Sequence, residues 1–235
     1  MKAFDLCLIK HYAKIVHPVG WRYITITMVV ASLAAFIVPK MLCVGFVFSL
    51  WCGFFFRDPS RVTPTREGLL VSPADGVIRA ISTVVPPVEL GLEPLEACKI
   101  SVFLSVFDVH INRIPIAGTV EKKIYRPGKH INACFDKAST DNEAMAMRLR
   151  LPDGRAIGVV QIAGLIARRI VSYVSEGQAV VAGERFGMIK FGSRVDIYLP
   201  AGVAPLVVAG QYLLGGETVI ADLLSNEAPR VGEIR

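Results

Sequence analysis

Apolar residues fall into two regimes along this chain. Ile24 to Val38 is fifteen residues without a charge, Pro39-Lys40 interrupts, and Met41 to Phe56 adds sixteen more. As a helix the first stretch is roughly 22 Å long at about 1.5 Å per residue, marginal against a hydrocarbon core of about 30 Å. Joined in one helix, the two would overshoot the bilayer and leave Lys40 near its middle, at a cost of about 2.5–3.5 kcal/mol. Proline also breaks helices. The pattern therefore predicts a helical hairpin turning at Pro39-Lys40. A single span is the alternative, and a buried core helix is the bland reading. Lys2, Lys10, Lys14 and Arg22 precede the block, and Arg57, Arg61 and Arg66 follow it. Basic residues on both flanks place both ends on the cytoplasmic side, as a hairpin requires.

From Leu69 onward short Val/Ile-rich runs alternate with Gly, Pro and Asp. Strands are predicted on either side of Pro73-Ala74-Asp75-Gly76, over Lys99–Phe107 and Thr119–Tyr125, and around the Pro152-Asp153-Gly154 turn as Glu143–Arg150 and Arg155–Ile162. Asp136–Asn142 reads as a loop or short helix, and Ala167–Tyr173 fits either helix or strand. An internal repeat is visible: Gly177-Gln178 with Gly183-Glu184 recurs 33 residues later as Gly210-Gln211 with Gly216-Glu217, and an apolar stretch follows each copy. Each copy reads as turn, short strand, turn, strand, which suggests a quasi-symmetric barrel or sandwich. The expected organisation is a basic leader and membrane hairpin over 1–56, then a mainly β globular part over 57–235.

Composition changes this picture little. The apolar fraction of 53% is concentrated in the early block, and the net charge of +6 favours an anionic partner. The apolar block points to a bilayer surface rather than nucleic acid. Five cysteines without a CxxC pair do not make a disulfide scaffold.

Chemistry centres on Gly192-Ser193, within Phe191-Gly192-Ser193-Arg194-Val195-Asp196. A glycine before a serine permits backbone angles that other residues avoid. There the hydroxyl can attack the preceding carbonyl, and the chain can break to leave an N-terminal pyruvoyl ketone, an electron sink for amine substrates. His110, where an apolar run meets polar residues, is the best acid/base candidate. Asp75 lies in a turn where aspartate is ordinary. Arg168-Arg169 could hold a phosphate or form a solvated face. His130, in a loop, reads as solvated.

Taken in order, these segments resemble the short-form bacterial phosphatidylserine decarboxylases. The residues that carry the resemblance are Phe56-Arg57-Asp58-Pro59, Ser72-Pro73-Ala74-Asp75-Gly76, the stretch from Asp108 to Pro115, Pro127-Gly128-Lys129, Asp136-Lys137-Ala138-Ser139 with Asn142-Glu143, Gln161-Ile162-Ala163-Gly164 with Ala167-Arg168-Arg169-Ile170, and Phe191 to Asp196. The resemblance implies a β barrel-sandwich hybrid with few helices. It implies a proenzyme that cuts itself between Gly192 and Ser193 into a β chain (1–192) and an α chain (193–235). The α chain would open with a pyruvoyl group made from Ser193, with no metal and no pyridoxal phosphate. Phosphatidylserine would form a Schiff base with that group and leave as phosphatidylethanolamine. By position Asp75 matches the family's processing aspartate and His110 the histidine linked to decarboxylation, and Arg168 and Arg169 are candidates for substrate binding. The implied partners are phosphatidylserine in the membrane and the two fragments as a heterodimer, with a homodimer of that unit as a further option and no nucleic acid. The implied site is the inner cell membrane, catalytic part on the cytoplasmic side. One position departs: longer relatives carry a second histidine where this chain has Arg113, which stays protonated and cannot act as a base.

Two other readings fit part of the chain. Asp136-Lys137-Ala138 resembles the lysine triplet of lipoyl carriers, and a non-catalytic lipid-binding protein would also need a membrane block. Neither uses Gly192-Ser193.

Overall fold

The computed structural model describes residues 16–92, 96–128, 141–164, 169–190 and 193–233. The chain divides into two compact units, Met1–Ser60 and Arg61–Arg235.

In the first unit α1 (Pro18–Ala35) and α2 (Met41–Phe55) pack as a hairpin whose connection holds Pro39-Lys40. Close approach rests on small residues: a Cβ on Gly45 would come within 2.1 Å of the Ala31 Cβ. The entry and exit are tied together, because the Phe56 carbonyl accepts from His17 N–H at 2.8 Å and the Tyr23 and Phe56 rings stack at 5.0 Å. His17 also caps α1, its Nδ1 accepting from Val19 N–H. The apolar faces point outward: Leu33, Phe36, Ile37 and Val47 are among many exposed large hydrophobes. A core helix of a soluble protein would bury these side chains. By length and composition α1 can cross a membrane, and α2 is three residues shorter.

The second unit is β: β1 (Leu69–Val71), β2 (Gly76–Val84), β3 (Ala97–Leu104), β4 (Ile111–Arg113), β5 (Gly118–Arg126), β6 (Ala144–Arg150), β7 (Ala156–Ala163), β8 (Ile170–Ser172), β9 (Ala179–Val180), β10 (Arg185–Ile189), β11 (Ser193–Tyr198), β12 (Tyr212–Leu213) and β13 (Val219–Asp222). Eight strands form one sheet in the order β12-β2-β3-β11-β7-β6-β5-β9, β4-β10-β8 form a second, and β1-β13 a third, with every pairing antiparallel. This agrees with the expected mainly β fold. The undecided segment at 167–173 holds strand β8, and the run from Lys99 leaves its strand at Leu104, where a turn hydrogen-bonds Asp108 N–H to the Ser105 carbonyl.

The 33-residue repeat is structural. Gly177, Gly183, Gly210 and Gly216 all take positive φ; Gly177 and Gly183 bracket the two-residue strand β9, and Gly210 and Gly216 bracket the two-residue strand β12. Those strands and their successors pair with two similar partners: β9 and β10 with β5 and β4, β12 and β13 with β2 and β1. The halves also exchange matching bonds. Val71 N–H donates to the Pro115 carbonyl and Arg113 N–H to the Pro73 carbonyl, at 2.8 and 2.9 Å. The two halves are thus related by a pseudo-two-fold, and β11 lies outside the repeat, between β3 and β7 at the centre of the large sheet.

Candidate active site

Ser193 is the first residue of β11, paired with Leu104 on one side and Ala163 on the other. Its side chain lies on the same face as Val195 and Ile197, which belong to the main core, and it is fully buried, its Oγ without a hydrogen-bond partner among the described residues. Buried hydroxyls ordinarily find a partner, so this one is set apart. Between Ile189 and Ser193 the chain crosses from the three-stranded sheet to the eight-stranded one, which puts the Gly192-Ser193 bond in a short connection anchored at both ends by strands. Lys190 N–H is held by the Arg169 carbonyl at 3.3 Å. Gly192 itself lies outside the described residues, as do Arg168, His130 and the Asp136-Lys137-Ala138 triplet.

His110 sits beside that connection: its carbonyl accepts from Ile189 N–H at 3.3 Å, extending the β4–β10 ladder. The imidazole is buried, with Nδ1 2.9 Å from the Asp108 carbonyl. A carbonyl can only accept, so Nδ1 carries the proton and a neutral ring offers the Nε2 lone pair. The Asp108 carboxylate accepts from Ser105 N–H at 2.6 Å and from the Tyr212 hydroxyl at 2.8 Å.

Asp75 stands where β2 begins. Gly76, opposite Leu213, takes φ 144°, and a Cβ there would fall 2.1 Å from the Phe103 carbonyl oxygen, so only glycine lets the turn close on β3. Leu104, next to Phe103, is the residue paired with Ser193, which sets Asp75 at the same end of the sheet as the serine. Asp75 Oδ1 accepts from Gly215 N–H at 2.7 Å and Oδ2 is 2.5 Å from Arg61 Nη2. Burial pushes its carboxyl above the usual range; Arg61 and the Gly215 amide pull it down without cancelling that push, and nearby Asp108 raises it further.

The structure thus places Ser193, His110 and Asp75 on segments that adjoin one another. Arg113 has another use: its buried guanidinium donates to the Gly183 carbonyl at 2.9 Å and packs where a Cβ on Gly216 would touch its Cδ. Arg169 is exposed and its charge lies near Tyr125. The sequence reading missed Arg61, Asp108 and Tyr212. It also missed Asn112 and Gln161, a buried amide pair whose signal was visible as polar residues inside apolar β runs. Among the described residues, no three His, Cys, Asp or Glu side chains converge as a metal site.

A family model described as phosphatidylserine decarboxylase matches residues 48–221. A phosphatidylserine decarboxylase proenzyme of Cereibacter sphaeroides is 54% identical over 228 residues, covering 97% of this chain and 98% of the relative. One from Paramagnetospirillum magneticum is 51% identical over 235 residues, covering 100% and 98%. A third, from Granulibacter bethesdensis, is 54% identical over 207 residues, covering 88% and 85%. The chain belongs to the phosphatidylserine decarboxylase family and is a decarboxylase.

Proposed function

We propose that this chain is a self-cleaving proenzyme which, once cut between Gly192 and Ser193, decarboxylates phosphatidylserine to phosphatidylethanolamine. The observation that carries this is the Ser193 hydroxyl: fully buried, without a hydrogen-bond partner among the described residues, and at the start of the central strand. A serine needed only for packing would be alanine or would hydrogen-bond its backbone. Its surroundings suit a pyruvoyl group, since Leu104 and Ala163 flank it and exclude water. That group supplies a ketone that condenses with the substrate amine and accepts the electrons freed with carbon dioxide.

The protein's own groups do the rest. Asp75, held by Arg61 and the Gly215 amide, is the candidate base that takes the serine proton during the cut, since a raised carboxyl pKa strengthens it as a base. His110, fixed with Nδ1–H on a carbonyl, holds a proton-accepting Nε2 and, once charged, can return a proton to the substrate carbon. Ser193 is fully buried in the uncut chain, so the lipid amine reaches it only after the cut. The fragments stay together because β11 is hydrogen-bonded on both sides, to β3 and β7, while β12 and β13 pair with β2 and β1. The exposed apolar helices and the basic residues Arg22 and Arg57 at their open end support anchoring in the cell membrane, with the catalytic unit on the cytoplasmic side.

The test is decarboxylation of phosphatidylserine in detergent micelles by the purified protein and by Ser193→Ala. The parent should release carbon dioxide and be inactivated by a carbonyl reagent. The variant should stay in one piece and be inert. A cleaved parent that leaves phosphatidylserine untouched would overturn the reading.

A further inference from the structure

Beside Ser193 the interior holds two amides that pair with each other and leave half their capacity unused. Gln161 Nε2 donates to Asn112 Oδ1 at 2.7 Å, and both side chains are fully buried. Asn112 Nδ2 and Gln161 Oε1 are buried without a hydrogen-bond partner among the described residues. With O and N exchanged in both amides, one donor group and one acceptor group would still be unspent but on opposite partners; the orientation in the structure, with Gln161 Nε2 donating to Asn112 Oδ1, leaves the donor on Asn112 and the acceptor on Gln161. Native interiors rarely leave such groups unpaired, and those that do call for a ligand or an ordered water.

Their placement is specific. On β7, Gln161 pairs with Val195 and Ala163 with Ser193, so Gln161 and Ser193 are diagonal neighbours on one face of the sheet. Asn112 lies on β4, two residues beyond His110, and meets Gln161 from the opposite layer. Opposite Asn112 on β10 is Gly187, where a Cβ would sit 2.9 Å from Gln161 Nε2 and 2.6 Å from the Val171 carbonyl oxygen. The lack of a side chain there leaves the room that the amide pair occupies.

Resting on the decarboxylase reading above, we propose that the Asn112–Gln161 pair is the recognition site for the α-amino-acid end of the headgroup: Asn112 Nδ2 donates to the carboxylate, and Gln161 Oε1 accepts from the nitrogen. An α-amino acid carries one strong acceptor group and one strong donor group on a single carbon, the complement of what the pair leaves unspent. Asn112 then holds the carboxylate on β4, the strand that His110 leads into, close to the proton the product needs. The product headgroup has an amine but no carboxylate, so it keeps the Gln161 bond and loses the Asn112 bond. The site therefore favours substrate over product.

The test uses full-length protein in micelles, comparing the parent with Asn112→Leu, Asn112→Asp and Gln161→Leu. Four quantities are read: extent of self-cleavage, KM and kcat for phosphatidylserine, and inhibition by phosphatidylethanolamine. Both Asn112 variants should cleave and raise KM by about 10- to 100-fold, the worth of a hydrogen bond to a charged group; Asn112→Leu should leave product inhibition unaltered, and Asn112→Asp, whose charge attracts the product amine, should not weaken it. Gln161→Leu should weaken both substrate and product. Asn112→Asp, nearly the same size and carrying a charge that repels the carboxylate, keeps the test informative if the leucine variant does not fold. Cleaved variants with the parent's KM would overturn the proposal, since the pair would then hold only a water. Failure of both Asn112 variants to cleave would also overturn it, because the pair would then serve the cut. A parent that does not decarboxylate phosphatidylserine would remove the reaction itself, an outcome distinct from either.

Discussion

Arg61 Nη2 lies 2.5 Å from Asp75 Oδ2, and both side chains are at least nine-tenths buried. The short segment that opens the catalytic unit thus delivers a cation to the carboxyl implied in self-cleavage. Burial is the larger influence and leaves the Asp75 carboxyl raised; Arg61 holds the rise in check. Removing the guanidinium, as in Arg61→Met, should raise it further. With ionised Asp75 as the proposed base, the pH dependence of cleavage should move toward alkaline pH, with the alkaline plateau retained. Rates of chain scission in freshly synthesised protein across a pH series check this; an unshifted profile would detach Arg61 from the chemistry. Folding responds in its own direction. A carboxyl raised above its unfolded value contributes stability that is complete in acid and fades as pH climbs through the raised value.

His110 is held with Nδ1–H on the Asp108 carbonyl. Replacing it by alanine removes the group assigned to return a proton to the substrate carbon. The loss should be about 10²–10⁴-fold in kcat, measured on whatever fraction has cleaved. A cleaved His110→Ala protein with kcat within a few-fold of the parent would exclude His110 from the proton transfer.

Two glycines separate the effects of backbone strain and crowding. Gly154 takes φ 87° with nothing within 4 Å of where a Cβ would lie, whereas at Gly76 a Cβ would strike the Phe103 carbonyl oxygen. Gly154→Ala should cost about 1–3 kcal/mol from φ alone. Gly76→Ala should cost more and should also impair cleavage, since it moves Asp75. Urea unfolding of both variants in the Ser193→Ala background checks the order; equal costs would contradict the close β2–β3 approach.

On the face of β11 opposite Ser193, Arg194 and Asp196 form an ion pair at 3.0 Å with both side chains buried. Burial pushes the Asp196 carboxyl upward, against Arg194 and a hydrogen bond from Ser101. Asp196→Ala removes the carboxylate from a buried arginine and should cost about 3–5 kcal/mol, whereas the double replacement Arg194→Met with Asp196→Leu, which fills the same space with apolar side chains, should recover most of it. Equilibrium unfolding of the single and double variants reads this directly. An additive double variant would mean the pair is not coupled.

Local signals made much of the fold legible. Pro39-Lys40 marked the hairpin turn because proline and a mid-helix lysine are both costly in a membrane, and Gly177, Gly183, Gly210 and Gly216 marked the repeat because each occupies a left-handed turn position. Strand β8 was not decidable: it has three residues, and its conformation comes from pairing with β10 rather than from its own periodicity. Ser193, Asp75 and His110 were singled out as candidates from motifs. The polar pairs around them were not, because Arg61 and Asp75 are 14 residues apart, Asp108 and Tyr212 are 104, and Asn112 and Gln161 are 49. Such partners meet only through sheet register, which no short motif encodes.

The fate of one peptide bond decides the chemistry, and the intact mass of the purified protein tests it most directly. Two polypeptides, 1–192 and 193–235, the second beginning with a ketone in place of the Ser193 amine and hydroxyl, are the predicted result. A single species at the full 25.6 kDa that still converts phosphatidylserine to phosphatidylethanolamine would contradict it.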